Sequence, residues 1–353
     1  MRGPQCTRWR AAAALAAALL GAAEAVPAQP SPVAETATYQ GADRAQRLIE
    51  GAKREKDLTL YSVIPPEDMS ALAAAFDKKY GIKVKVWRAD SESILQRVLT
   101  EARAPRFEVD LVVASSSALE PLSRDNLLQE VKSPYIAELI AEALPLHRQW
   151  SAVYLSTFVQ AFNTTRVPKQ RLPKSYQDLL RPEWRGMLGV EAEDFDWFAQ
   201  LMMEMGEAQG LKLFRDIVAG NGVSVRKGHS QLTSLVAAGE VPLALDDYGF
   251  LAEQAKRRGA SLDWMVLPPA IARPTAEGLA KNALHPNAAV LFHDFLISEA
   301  QPILASRHFV PASSRIASPL ASGPLKLIDA ALMFEQSRKW QELYQRVILG
   351  PSR

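Results

Sequence analysis

Three short polar turns carry the side chains with the clearest chemistry. Ser62 closes an apolar run at 58–63; Asp90, Ser91, Glu92 and Ser93 follow an alternating run at 82–87; Ser115, Ser116 and Ser117 follow an apolar run at 109–113. Each turn offers hydroxyls and free backbone N–H groups near the start of a helix, a place that favours negative charge. Such serines also cap helices without binding anything, but three turns on one sheet edge describe a shared cleft. Farther on, Asp246, Asp247 and Tyr248 follow the apolar run at 241–245. Tyr248 can act as a ligand or hydrogen-bond donor, whereas neighbouring Asp246 and Asp247 diverge in a strand, so at most one faces a cleft. Arg88 and Arg226 stand at strand ends and can grip a carboxylate or phosphate, and Ser230 sits at a helix start. The expected ligand-binding residues are Ser62, Ser91, Ser115, Ser116, Arg226, Ser230, Asp247 and Tyr248.

Other chemistries are less well supplied. Glu191, Glu193, Asp194 and Asp196 form an acidic loop without the D-x-D-x-D-G calcium pattern, and they read as a solvated loop that caps the next helix. His147, His229, His285, His293 and His308 show no H-x-H or H-E-x-x-H spacing, so no zinc site is expected. His229, just before a helix start, is the histidine nearest the predicted cleft edge. There is no G-x-S-x-G motif and no phosphate-cradling glycine loop. The chain therefore reads as a binder and not an enzyme, with no cofactor. A periplasmic hydrolase acting through Asp247 or Glu193 is the enzymatic alternative.

The elements that must position these residues alternate in type. Residues 58–117 read strand, helix, strand, helix, strand, with Pro65 and Pro66 before acids at a helix start and Gly81 at its stop. Parallel strands joined by helices put every strand's carboxyl end on one edge, where ligands of open α/β sheets bind. Ser117 with Glu120 reads as a capping box. Residues 133–144 read as a helix. Residues 152–162 form a β-type run longer than the usual five or six residues, as for a strand crossing between lobes. Residues 262–267, before Pro268 and Pro269, read as the return crossing, and the chain from 319 onward reads as helical. The predicted fold class is α/β: two α/β lobes joined by two crossover strands around an interlobe cleft. Lobe 1 takes residues 41–157 and 268–318, and lobe 2 takes 158–267 and 319–353.

Of 353 residues, 48% are hydrophobic and 23% charged, an ordinary globular composition. Arg2, Arg8 and Arg10 precede an apolar run at 11–23, and A-x-A-like sites end at Ala25 and Ala28. This is an export signal over residues 1–28, too short to span a bilayer, which takes about 18 or more apolar residues. Residues 29–40 read as a flexible leader. Removing three arginines and Glu24 with the signal leaves 38 basic and 38 acidic residues. A neutral chain gives no reason to expect nucleic acid or an anionic membrane as partner. The only cysteine, Cys6, lies in the signal, so the mature chain has no disulfide or thiolate site.

With these residues laid out, the chain resembles the periplasmic solute-binding proteins of ABC importers, in the cluster of ferric-ion-binding proteins and their organophosphate-binding relatives. The resemblance lies in Leu58-Thr59-Leu60-Tyr61-Ser62 leading to Phe76-Asp77-Lys78-Lys79-Tyr80-Gly81-Ile82-Lys83-Val84; in Asp178-Leu179-Leu180-Arg181-Pro182-Glu183-Trp184-Arg185-Gly186; in Val236-Ala237-Ala238-Gly239-Glu240-Val241-Pro242; and in His285-Pro286-Asn287-Ala288-Ala289 running on to Phe295-Leu296-Ile297-Ser298. It implies a monomeric, periplasmic, type II binding protein that closes on a small solute and passes it to a membrane permease. Ferric binders of the family use adjacent tyrosines with a histidine and a glutamate. Here Tyr248 matches the first tyrosine, Gly249 replaces the second, and Pro65 and Ser115 stand near the other two positions. One phenolate, even with Asp247, is a poor set for a hard trivalent ion. The expected solute is thus a small organic anion, phosphate esters included, with a ferric ion held by Tyr248 and Asp247 as the alternative.

Overall fold

The computed structural model describes residues 31–104, 107–318 and 325–350. The expected signal over residues 1–28 lies outside the described residues. Two short helices, α1 (Pro32–Thr38) and α2 (Arg44–Glu55), come first. The expected leader is corrected here: Ser31 caps α1, and Val33 and Ala37 are buried. Then β1 (Asp57–Ser62), α3 (Pro66–Tyr80), β2 (Lys83–Arg88), α4 (Ser91–Ala102), β3 (Leu111–Ser115) and α5 (Ser116–Arg124) follow in the predicted order. Strand β1 pairs in parallel with both β2 and β3, so the ends of all three face one edge. The left-handed Gly81 (φ 72°) ends α3 and donates to Asp77 O. Residues 133–144, expected as a helix, form two 3-10 turns.

After the short β4 (Leu128–Gln129) comes β5 (Ser151–Asn163), all thirteen of whose residues are buried. The lower half of β5 pairs with β11 (Ile271–Ala280), and its upper half pairs with β8 (Leu243–Ala244), β9 (Asp247–Tyr248) and β10 (Leu262–Met265). It therefore runs from one sheet into the other, as its length suggested. The return differs from expectation. Among the described residues, 262–265 pair with β5 alone, and β11 carries the chain back against β3 and β4. Its sequence holds Arg273, Pro274, Glu277 and Gly278, residues that argue against a central strand, and this hid it.

The second sheet is built from β6 (Leu188–Glu191) in parallel with β7 (Ser224–Arg226) and β8. Helices α6 (Phe195–Met205), α7 (Glu207–Asn221), α8 (His229–Ala238) and α9 (Gly249–Arg257) join its strands. Next come α10 (Pro286–Leu296), α11 (Ala300–Ser306), β12 (Val310–Pro311), β13 (Lys326–Leu327) and α12 (Ala330–Tyr344), which runs on into a π-helical turn at Gln345–Leu349. The buried apolar side chains fall into two large clusters. One gathers Leu60, Phe76, Val112 and Phe292 around β1 and β3; the other gathers Phe158, Trp184, Trp197, Phe214 and Trp340 around β6, α6 and α12. The architecture is the expected α/β arrangement, two sheets linked through the long β5. Among the described residues no helix is long and apolar enough to cross a membrane.

Candidate functional site

Both sets of strand ends open on one cavity of about 840 Å³, within the size range of small-ligand sites. Its first wall comes from the first sheet. Asp90 caps α4 by accepting from Ser93 N at 2.7 Å. Ser91 Oγ accepts from Ser115 N at 3.1 Å, which ties the start of α4 to the start of α5. Arg88 lines the cavity at the end of β2. It is exposed, and among the described residues it makes no hydrogen bond or ion pair. Ser117 is not the cap expected of it: Ser115 takes that position, and Ser117 Oγ donates to Asp196 Oδ2 at 2.7 Å, across to the other wall.

The second wall is a buried charge cluster. Arg273, from β11, donates through Nη1 to Asp196 Oδ1 at 2.8 Å and Asp194 Oδ1 at 3.3 Å, and through Nη2 to the Tyr248 hydroxyl. The His229 ring stacks on Tyr248 with centroids 3.5 Å apart, and Phe250 stacks behind it at 5.6 Å. The Glu191 carboxylate accepts from the N–H groups of Gly228, at 2.7 Å, and Glu193. Glu193 itself pairs with the exposed Lys227 at 2.8 Å.

Proximity shifts these groups' proton affinities. Burial opposes charge on Arg273, but Asp196 and Asp194 outweigh it and raise its pKa. Burial alone would lower His229, yet the charge and hydrogen-bonding reach of Asp194, with Glu191 and Asp247, raise it. Burial would raise Asp194, but His229 and Arg273 hold it below the usual carboxylate range. Burial and the charge of Asp194 push Glu191 up. Burial takes Asp247 to about 7, against the lowering influence of His229 and Thr233.

Four of the eight predicted residues line the cavity: Ser91, Ser115, Ser230 and Tyr248. The other four do not. Ser62 is buried, with its Oγ accepting from Ile64 N. Ser116, the first residue of α5, is buried. Arg226 turns back to donate to Val225 O. Asp247 is buried behind Tyr248, accepting from Thr233 Oγ1 and Tyr248 N. Asp246 is equally buried and accepts from Glu191 N. The acidic loop was misread as solvated: Glu191, Asp194 and Asp196 are each at most 3% exposed. Their partner Arg273 lay in the unrecognised strand, and no local spacing pointed to it. His285 and His293 serve structure, paired with Asp110 and Glu277.

Gly249 has a steric reason. A Cβ there would stand 2.6 Å from Thr157 Oγ1 and 3.2 Å from Val159 Cγ1. The β5 strand therefore leaves no room for a second tyrosine beside Tyr248.

Residues 108–326 match the sequence profile of a family described as bacterial extracellular solute-binding protein. The chain is 24% identical over 295 residues to the major ferric iron-binding protein of Neisseria meningitidis serogroup B, covering 78% of this chain and 86% of that one. It is 23% identical over 195 residues to the Fe(3+)-binding periplasmic protein of Serratia marcescens, covering 54% of this chain and 57% of that one. Among solved structures, the periplasmic binding protein AfuA from Actinobacillus pleuropneumoniae, with fructose-6-phosphate bound, superposes with a TM-score of 0.73 at 20% identity. That match covers 83% of this chain and 99% of AfuA.

Proposed function

This chain belongs to the bacterial extracellular solute-binding proteins, and from that premise we propose that it is the periplasmic binding component of an ABC importer whose solute is a small organic anion. The observation that carries the anion is Arg88. Among the described residues its side chain has no hydrogen-bond or ion-pair partner, and it stands at the end of β2, beside the N-termini of α4 and α5 that Ser91 and Ser115 tie together. A guanidinium next to two helix starts suits a carboxylate or phosphate. The relatives' printed ligands, ferric iron and a sugar phosphate, both depend on oxygen chemistry, but the site here favours the second kind. A ferric ion would find one phenolate, already hydrogen-bonded by Arg273, and no space for another at Gly249. Asp247, the carboxylate expected to assist, is walled off.

The proposal assigns lobe 1 to residues 41–157 and 268–318 and lobe 2 to 158–267 and 319–353, with β5 and β11 as the two crossings. Hinged closure across them would bring the two walls onto the solute. The protein works as a monomer, exported by its N-terminal signal, and hands its solute to a membrane permease without altering it. The hydrolase reading has little support, because Asp247 is buried and Glu193 is neutralised by Lys227.

A thermal-shift screen of refolded, solute-free protein tests the proposal. Phosphate esters, phosphonates and carboxylates at 100 times their dissociation constants should add about 2.7 kcal/mol of stability. A response confined to ferric complexes or to uncharged sugars would contradict it.

A further inference from the structure

The second wall gathers buried carboxylates around Arg273 and the His229 imidazole. Five carboxylates lie buried together: Glu191, Asp194, Asp196, Asp246 and Asp247, none more than 3% exposed. Among the described residues the buried cations are Arg44, which is committed to Asp294 elsewhere, and Arg273. Arg273 satisfies Asp196 and one oxygen of Asp194. Asp194 Oδ2, though buried, makes no hydrogen bond, and neither nitrogen of His229 makes one. Asp194 Oδ2 and His229 Nε2 face each other as an ion pair at 3.3 Å, outside hydrogen-bond geometry, so their polar capacity is only partly met. All three residues face the cavity.

We propose that Glu191, Asp194 and His229 hold a divalent transition-metal ion, zinc in the first instance, on this wall of the cavity. One ligand atom from each lies within 4.8 Å of the other two. A shared ion at about 2.1 Å from each would hold them no more than about 4.2 Å apart, so a side-chain adjustment of a few tenths of an ångström closes the set. One imidazole with two carboxylates suits a borderline ion such as zinc. Three protein ligands leave coordination positions open toward the cavity. The ring stack on Tyr248 and the backbone donors to Glu191 fix two of the three ligands from behind, as outer partners do in metal sites. The ion would be resident, and it differs from a ferric cargo in using neither the Tyr248 hydroxyl nor Asp247.

An organic ammonium is the competing occupant for the same negative charge. It fits less well, because the set includes an imidazole nitrogen, a donor that suits a transition-metal ion.

The test uses the chelator-treated, solute-free full-length mature protein, so it does not depend on which solute is transported. Zinc is titrated calorimetrically, and cobalt(II) is followed by its visible d–d absorption. The expected result is one equivalent bound, with cobalt bands of a low-coordinate site that zinc abolishes. Affinity should fall at least 100-fold in both His229→Gln and Glu191→Gln, with folding checked by far-UV circular dichroism. Because the cobalt spectrum is read on the wild-type protein, failure of a variant to fold leaves the proposal testable. No stoichiometric zinc or cobalt binding by the wild type would overturn it. So would binding that survives both substitutions, or that is lost only when the surface histidine His147 is replaced. Saturable binding of methylamine or putrescine in the absence of zinc uptake would assign the charge to an ammonium and overturn the metal.

Discussion

The two walls of the cavity are built on different principles. The first is local: Asp90 caps α4, Ser115 stands at the start of α5, and Ser91 bridges them, all within a few residues of the strands they follow. The second is assembled from afar. Arg273 reaches Asp194 and Asp196 across 79 and 77 positions of sequence, and Tyr248 across 25. The first wall presents Arg88, unpaired among the described residues, beside two helix starts. The second spends its cation on its own carboxylates. Binding specificity should therefore respond most to the first wall and stability most to the second.

The largest effect is expected on the second wall. Arg273→Met would leave Asp194 and Asp196 buried without their guanidinium, a loss of about 3–5 kcal/mol. Thermal unfolding should show a drop on the order of 10 °C, and a drop under 2 °C would break the contrast. On the first wall, Arg88→Ala should leave unfolding unchanged and weaken anion binding by about 10–100-fold, the value of a charge-assisted hydrogen bond. Equal effects on stability and affinity would erase the distinction.

Asp247 sharpens it through pH. Its pKa is about 7 in the folded chain, against about 3.9 when unfolded. The folded state thus holds the proton more tightly. The group's contribution to stability is present at low pH and is lost as pH rises from about 4 through 7. Asp247→Asn should stabilise the protein at pH 8, by up to about 4 kcal/mol, with about half that gain at pH 5.5. A gain that grows on acidification would reverse the assigned sign. The smallest effect is Ser117→Ala, which removes the 2.7 Å link to Asp196. A cost of about 1 kcal/mol is expected, measured by denaturant unfolding, and no change would mean the link carries no load.

What could be read from the sequence follows the same divide. The strand–helix alternation through Ser117 and the long β5 crossing were legible, because apolar period and caps are local signals. So was the placement of Ser91, Ser115, Ser230 and Tyr248 on a cleft, since each follows or precedes a strand end. The strand β11 was not, because Pro274, Arg273 and Gly278 break every strand rule while being tolerated between β3 and β5. Losing β11 hid Arg273, and without Arg273 the acids at 191–196 could only look like a solvated loop. Helix α1 was missed because proline, alanine and threonine read as linker, whereas Val33 and Ala37 pack into the first core.

The central claim is that an anion is held between these walls through Arg88. Isothermal titration of the solute-free wild type and Arg88→Ala with glycerol 3-phosphate, fructose 6-phosphate, citrate and inorganic phosphate tests it directly. The account predicts saturable 1:1 binding of at least one of these by the wild type, weakened by salt and reduced at least tenfold in the variant. Anion binding of equal strength in both proteins, or none by the wild type, would contradict it.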